Sequence, residues 1–103
     1  MHAVLYSFHV KPGKEQQLIT AWEELTQFIY KHENSLGSRL HKKDDTLYIA
    51  YAQWHSKAQY DNAGSNLPEF ANEVRARMKD ACTKIETLHQ MAVVSDLLQD
   101  SPH

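Results

Sequence analysis

The chain has 103 residues, 42% of them hydrophobic and 10% aromatic, and a net charge of -2 at pH 7. That is the size of one domain, with enough apolar side chains to fold and too few unbalanced charges to stay disordered. The scattered lysines and arginines and a pI of about 6.4 lack the basic footprint of a nucleic-acid binder, and no run approaches the ~20 apolar residues of a membrane span. The opening MHAVLYSFHV has no basic, signal-like start, and Cys82 is the single cysteine, so the expectation is a cytoplasmic protein with a buried structural thiol.

Ala3 to Val10 alternates, with Val4, Tyr6, Phe8 and Val10 on one side and Ala3, Leu5, Ser7 and His9 on the other. Both sets are largely apolar, which predicts a strand inside a sheet. Lys11-Pro12-Gly13 ends it. From Lys14 to His32 the period becomes helical: Leu18, Trp22, Leu25, Ile29 and His32 form one stripe, widened by Ala21 and Phe28. No glycine or proline interrupts the helix, and Asn34, Ser35 and Gly37 supply its exit. Ser38 to Lys43 is short and polar around Leu40 and suits an edge strand. Asp44-Asp45 makes the turn to Leu47–Trp54, the most apolar and β-prone run, and the pair reads as a hairpin.

Ser56 is positioned to cap a helical turn through Tyr60, and Asn62 to Asn66 is the loosest stretch. A helix is predicted from Leu67 to Cys82, with Pro68 in its first turn and a stripe of Leu67, Phe70, Ala71, Val74, Met78, Ala81 and Cys82. On it, Arg75, Arg77 and Lys79 mix with Glu69, Glu73 and Asp80 and read as a solvated face. Ile85 to Leu98 is the last periodic run. It predicts a long strand whose centre, Met91 to Val94, is covered on both sides. The domain therefore spans 1–98, with 99–103 as a flexible tail.

The order β-α-β-β-α-β predicts an α+β, ferredoxin-like fold with two helices on one face of an antiparallel sheet. Two helices cover one face only. Ala50, Ala52 and Trp54 are expected beneath them. Leu5, Leu47, Ile49 and Tyr51 then form an uncovered apolar face, which predicts a homodimer through the sheet.

Val10, Pro12 and Gly13 after the first strand, and the run AQWHSKAQY from Ala52 to Tyr60, resemble the antibiotic biosynthesis monooxygenase family of dimeric α+β barrels. The resemblance spans nearly the whole chain. It implies two sheets packed face to face and, in each subunit, a pocket between sheet and helices. Some members of the family oxidise aromatic polyketides or quinols with molecular oxygen, using neither metal nor flavin, while others bind and degrade haem. Trp54 and Tyr60 match the spacing of a pocket tryptophan and tyrosine in the polyketide-oxidising members. Ala50 stands where those members carry an asparagine. The haem-degrading members' strand asparagine and helix histidine fall at Tyr6 and Val74, and no histidine lies between Leu67 and Cys82, so the expectation is no cofactor and no haem.

The resemblance thus implies a monooxygenase-like oxidoreductase for a small aromatic, phenolic or quinol substrate. The alternative is a dimer that only binds a small apolar ligand or is structural. The catalytic candidates are Trp54, a flat wall with an N–H donor; Tyr60, a phenol; and His55, whose ordinary pKa suits a base if the strand has ended there. Tyr6, Phe8, Trp22, Ala50, Phe70 and Val74 are the substrate-binding candidates. The seven histidines show none of the usual metal-ligand spacings, so no metal site is expected, although His9, His41 and His89 fall on separate strands that share a sheet.

Overall fold

The computed structural model describes residues 1–63 and 67–98. The elements are β1 (His2–Val10), α1 (Glu15–Glu33), β2 (Gly37–Lys42), β3 (Leu47–Trp54), α2 (Lys57–Asp61), α3 (Phe70–Asp80) and β4 (Cys82–Ala92). The strands form one four-stranded antiparallel sheet in the order β2-β3-β1-β4. This is the ferredoxin-like arrangement. The two most apolar strands sit in the middle, where both edges of each backbone find a partner.

Register assigns the two faces. Val4, Tyr6 and Phe8 pair with Ala52, Ala50 and Tyr48, and this set lies under the helices. Phe8, Val10, Tyr48 and Ala50 pack with Leu18, Ala81 and Cys82. A second cluster, Ala21 and Leu25 against Ala71 and Val74, joins α1 to α3. Leu18, Val4 and Val74 are the largest fully buried side chains, each stabilising the fold by about 1.5–3 kcal/mol. The other face, with Leu5, Leu47, Ile49 and Tyr51, carries no helix and these four are only half-buried.

Capping follows the local chemistry. Gly13, with φ +87°, makes the first turn, and the αL residue that stops α1 is Asn34 at φ 57°. Gly37 instead opens β2 at φ +102°, a conformation costly for any side chain, with the Tyr30 ring against it. The Asp44 carboxylate accepts from the backbone N–H groups of Thr46 and Leu47 at 3.0 and 2.9 Å, closing the β2–β3 turn.

Two boundaries differ from the sequence reading. α3 begins at Phe70, since Leu67 to Glu69 form turns bonded through the Pro68 and Glu69 carbonyls, and it ends at Asp80. Gln17 Nε2 ties the Arg77 carbonyl and the Asp80 carboxylate to α1, and Lys14 also binds Asp80, so the chain leaves the helix before Cys82. β4 therefore starts three residues early and stops at Ala92, and Val93 to Leu98 lie outside the strand. The expected double cover of Met91 to Val94 is also corrected. β4 is an edge strand, its end at Met91 and Ala92 is exposed, and Val94 is 95% exposed. Residues 64–66 of the expected loop and the tail 99–103 lie outside the described residues. Among the described residues, no helix is long and apolar enough to cross a membrane.

Candidate active site

A partly open cavity of about 230 Å³ lies between the sheet and the two long helices. Tyr6 and Phe8 of β1 and Ala52 and Trp54 of β3 form its floor, because they share the helix-side parity of neighbouring strands. Trp22, Leu25 and Ile29 of α1 form the roof, spaced at three, four and seven residues along one helical face. The β2 edge contributes Ser35, Gly37 and Ser38. The opposite edge contributes Arg75 and Met78 of α3 and Ile85 of β4. Alanine at position 52, next to tryptophan at 54, leaves the space that a larger side chain would fill.

Behind the floor stands a group of aromatic rings. β3 ends at Trp54, and the Ser56 hydroxyl accepts from Gln59 N–H at 3.1 Å to start α2. That turn carries Tyr60 back onto the Trp54 indole, edge-on with ring centroids 5.7 Å apart. The Tyr6 hydroxyl donates to the Tyr60 hydroxyl over 3.5 Å, a long bond. The His2 ring lies 5.5 Å from Tyr60, and its Nε2 is 3.2 Å from the Gln90 side-chain oxygen.

Burial pushes the Tyr6 phenol well above its ordinary pKa, and the bond to Tyr60 adds to the shift. Tyr6 is therefore a neutral hydrogen-bond donor at pH 7, not a base. Trp54 Nε1 is buried and has no hydrogen-bond partner among the described residues. Leaving such a donor unmet costs about 1–3 kcal/mol. Tyr6 and Arg75 are the only ionisable side chains among the described lining residues; the wall carries no carboxylate, imidazole or amine.

Of the catalytic candidates, Trp54 lines the cavity and Tyr60 backs it. His55 is exposed and outside the lining, its backbone N–H held by the Gln59 side chain at 2.9 Å. The strand does end before His55, but the chain turns it outward. Of the binding candidates, Tyr6, Phe8 and Trp22 line the cavity. Ala50 and Val74 are fully buried in the two packing clusters instead. Phe70 is 52% exposed and rests edge-on against Phe28. The sequence reading missed Arg75, which it placed on a solvated face, and His2, which it left ahead of the first strand. Arg75 lies four residues after Ala71 and three before Met78, so its place beside the apolar stripe was a usable signal. Among the described residues, no group of three or more His, Cys, Asp or Glu side chains is placed to hold a metal. His41 Nδ1 lies 3.1 Å from the Ile49 carbonyl oxygen, and His9 Nε2 lies 3.7 Å from Glu86.

The family model for antibiotic biosynthesis monooxygenase matches residues 1–72, from the first strand past Trp54 and Tyr60. The chain belongs to the antibiotic biosynthesis monooxygenase family. Solved structures share its fold at low identity. SnoaB, a cofactor-independent oxygenase from Streptomyces nogalater, superposes with a TM-score of 0.76 at 12% identity, covering 95% of this chain and 97% of its own. Rv0793 from Mycobacterium tuberculosis gives 0.73 at 13% identity, covering 94% and 98%. A conserved protein from Methanosarcina mazei Go1 gives 0.70 at 16%, covering 87% and 89%. No curated protein sequence matches the chain.

Proposed function

We propose that this member of the antibiotic biosynthesis monooxygenase family oxidises a small aromatic, phenolic or quinol substrate with molecular oxygen and without a cofactor. The observation that carries the reading is the cavity beside Trp54. It combines apolar walls and the flat Trp54 indole with the neutral Tyr6 phenol, whose long bond to Tyr60 is weak enough to be exchanged for one to a substrate oxygen. An electron-rich phenolate or enolate reacts with oxygen directly when a pocket orients it and excludes water. For a quinol the balance closes without an external reductant. Quinol and one O₂ give a hydroxyquinone and one water, with all four electrons drawn from the substrate. The protein's part is to hold the ring between Trp22 and the floor, and to donate a hydrogen bond to the oxygen on which negative charge collects.

The subunits are proposed to pair through the open sheet face, which buries Leu5, Leu47, Ile49 and Tyr51 and closes two sheets into a barrel. A second reading, a dimer that binds an aromatic ligand without turning it over, is favoured by one observation. Ala50 supplies no polar group, and the described wall supplies no base.

Anaerobic mixing with a panel of hydroquinones and polyphenols, followed by admission of oxygen, separates the two. The enzyme reading predicts product absorbance that rises faster with the wild type than with the Trp54→Phe/Tyr60→Phe double variant. Equal rates for the two proteins across the panel would sink it.

A further inference from the structure

The cavity and a wider groove on its flank meet at the edge formed by α3 and β4. Arg75, Met78 and Ile85 belong to both, and the groove continues past Lys79 and Lys84. The charges along this edge are one-sided. Arg77, two residues on, is neutralised by Glu24 across the helix pair, and Lys84 lies 3.4 Å from Glu86. Among the described residues, Arg75 and Lys79 have no hydrogen bond or ion pair, and no carboxylate lines either the cavity or the groove. Arg75 is half-buried and lines both the cavity and the groove. A guanidinium that is partly withdrawn from water and given no counter-ion favours an anion from outside. Its planar fork suits a carboxylate better than any single-point acceptor.

Size narrows the class further. A volume of about 230 Å³ is below the ~300–1,000 Å³ of pockets that take drug-sized ligands, so one or two fused rings fill it.

We propose that the cavity takes an aromatic carboxylate of one or two rings, with the ring in the apolar chamber and the carboxylate at Arg75, facing Lys79. This rests on the ligand-pocket reading above and adds orientation to it. The carboxylate at the α3–β4 edge directs the opposite, hydroxyl-bearing edge of the ring toward Tyr6 and Trp54. Substrates without the carboxylate lose that register.

Calorimetric titration with 2-naphthoate, 2-naphthamide and 2-naphthol tests it on the intact protein, without relying on turnover. The expected result is that wild type binds 2-naphthoate about tenfold or more tighter than 2-naphthamide or 2-naphthol, the effect of one charge-assisted pair. The preference falls to about twofold or less in Arg75→Gln and is partly kept in Arg75→Lys, which retains the charge without the fork. Equal binding of the three ligands by wild type, or an unchanged preference in Arg75→Gln, overturns this inference and leaves the pocket reading standing. Tighter binding of 2-naphthol than of 2-naphthoate overturns it in favour of a phenol-directed site. No binding of any of the three overturns both.

Discussion

Replacing Trp54 with phenylalanine distinguishes a packing residue from a working one, because the two roles predict opposite patterns. Trp54 is 4% exposed, and its ring meets Tyr60 edge-on at 5.7 Å. Truncating a buried tryptophan to alanine costs about 3–5 kcal/mol, and the change to phenylalanine removes roughly a third of those atoms, so the packing loss is about 1–1.5 kcal/mol. Against this, the substitution deletes a buried N–H that has no partner among the described residues, relieving about 1–3 kcal/mol. The two effects nearly cancel. Stability should change by no more than about 1 kcal/mol, or about 4–8 °C in Tm for a domain of this size. Binding behaves differently. A ring packed against the indole wall loses part of its contact, so affinity for 2-naphthol falls about 3–10-fold. Thermal unfolding and calorimetric titration of the same two proteins read both quantities. A loss of about 3 kcal/mol or more with affinity unchanged would show that the indole is core and that it walls no ligand site.

Three further outcomes follow from the same geometry. Tyr6 should ionise above the ordinary tyrosine range in an alkaline absorbance titration, because burial raises its pKa, and that late step should vanish in Tyr6→Phe. A raised folded value means that its contribution to stability is full below the unfolded pKa of about 10 and is lost as pH rises beyond it. Asp80 has a lowered pKa, held down by the Gln17 hydrogen bond and then by Lys14. Its contribution is present above the unfolded value of about pH 4 and fades as pH falls toward the folded value, so Asp80→Asn should show a smaller drop in Tm between pH 5 and pH 2. At micromolar concentration, Ile49→Arg on the open sheet face should sediment as a monomer of 11.9 kDa while wild type sediments as a dimer, and a monomeric wild type would remove the barrel.

The central strands were legible because their chemistry is local. Alternation from Val4 to Val10 and from Leu47 to Trp54 fixes which side chains share a face, and the structure keeps those faces. The same alternation brought Tyr6, Phe8 and Trp54 to one floor, and the Trp22 stripe on α1 supplied the roof. The α3–β4 edge was not legible. Ala81 and Cys82 continue the helical stripe, yet Gln17 and Lys14, more than 60 residues away, hold Asp80 where the helix stops. β4 then carries two register shifts against β1, between Leu5 and Tyr6 and between His9 and Val10. Each extra residue reverses which side faces the helices. No periodicity count reveals that, and it is what puts Ile85 beside Arg75 at the cavity edge. Val74 and Ala50 were misjudged for a related reason. They lie on the correct face, but packing between α1, α3 and the sheet leaves no space next to them.

The most direct test of the account is incubation of the protein, with chelator present, with a quinol turned over in the panel and with ¹⁸O₂, followed by mass spectrometry of the product. The proposed reaction places one ¹⁸O atom in the hydroxyquinone and one in water, at a rate that falls in the Trp54→Phe/Tyr60→Phe variant. Product formed at the same rate by that variant, or product without label, would contradict it.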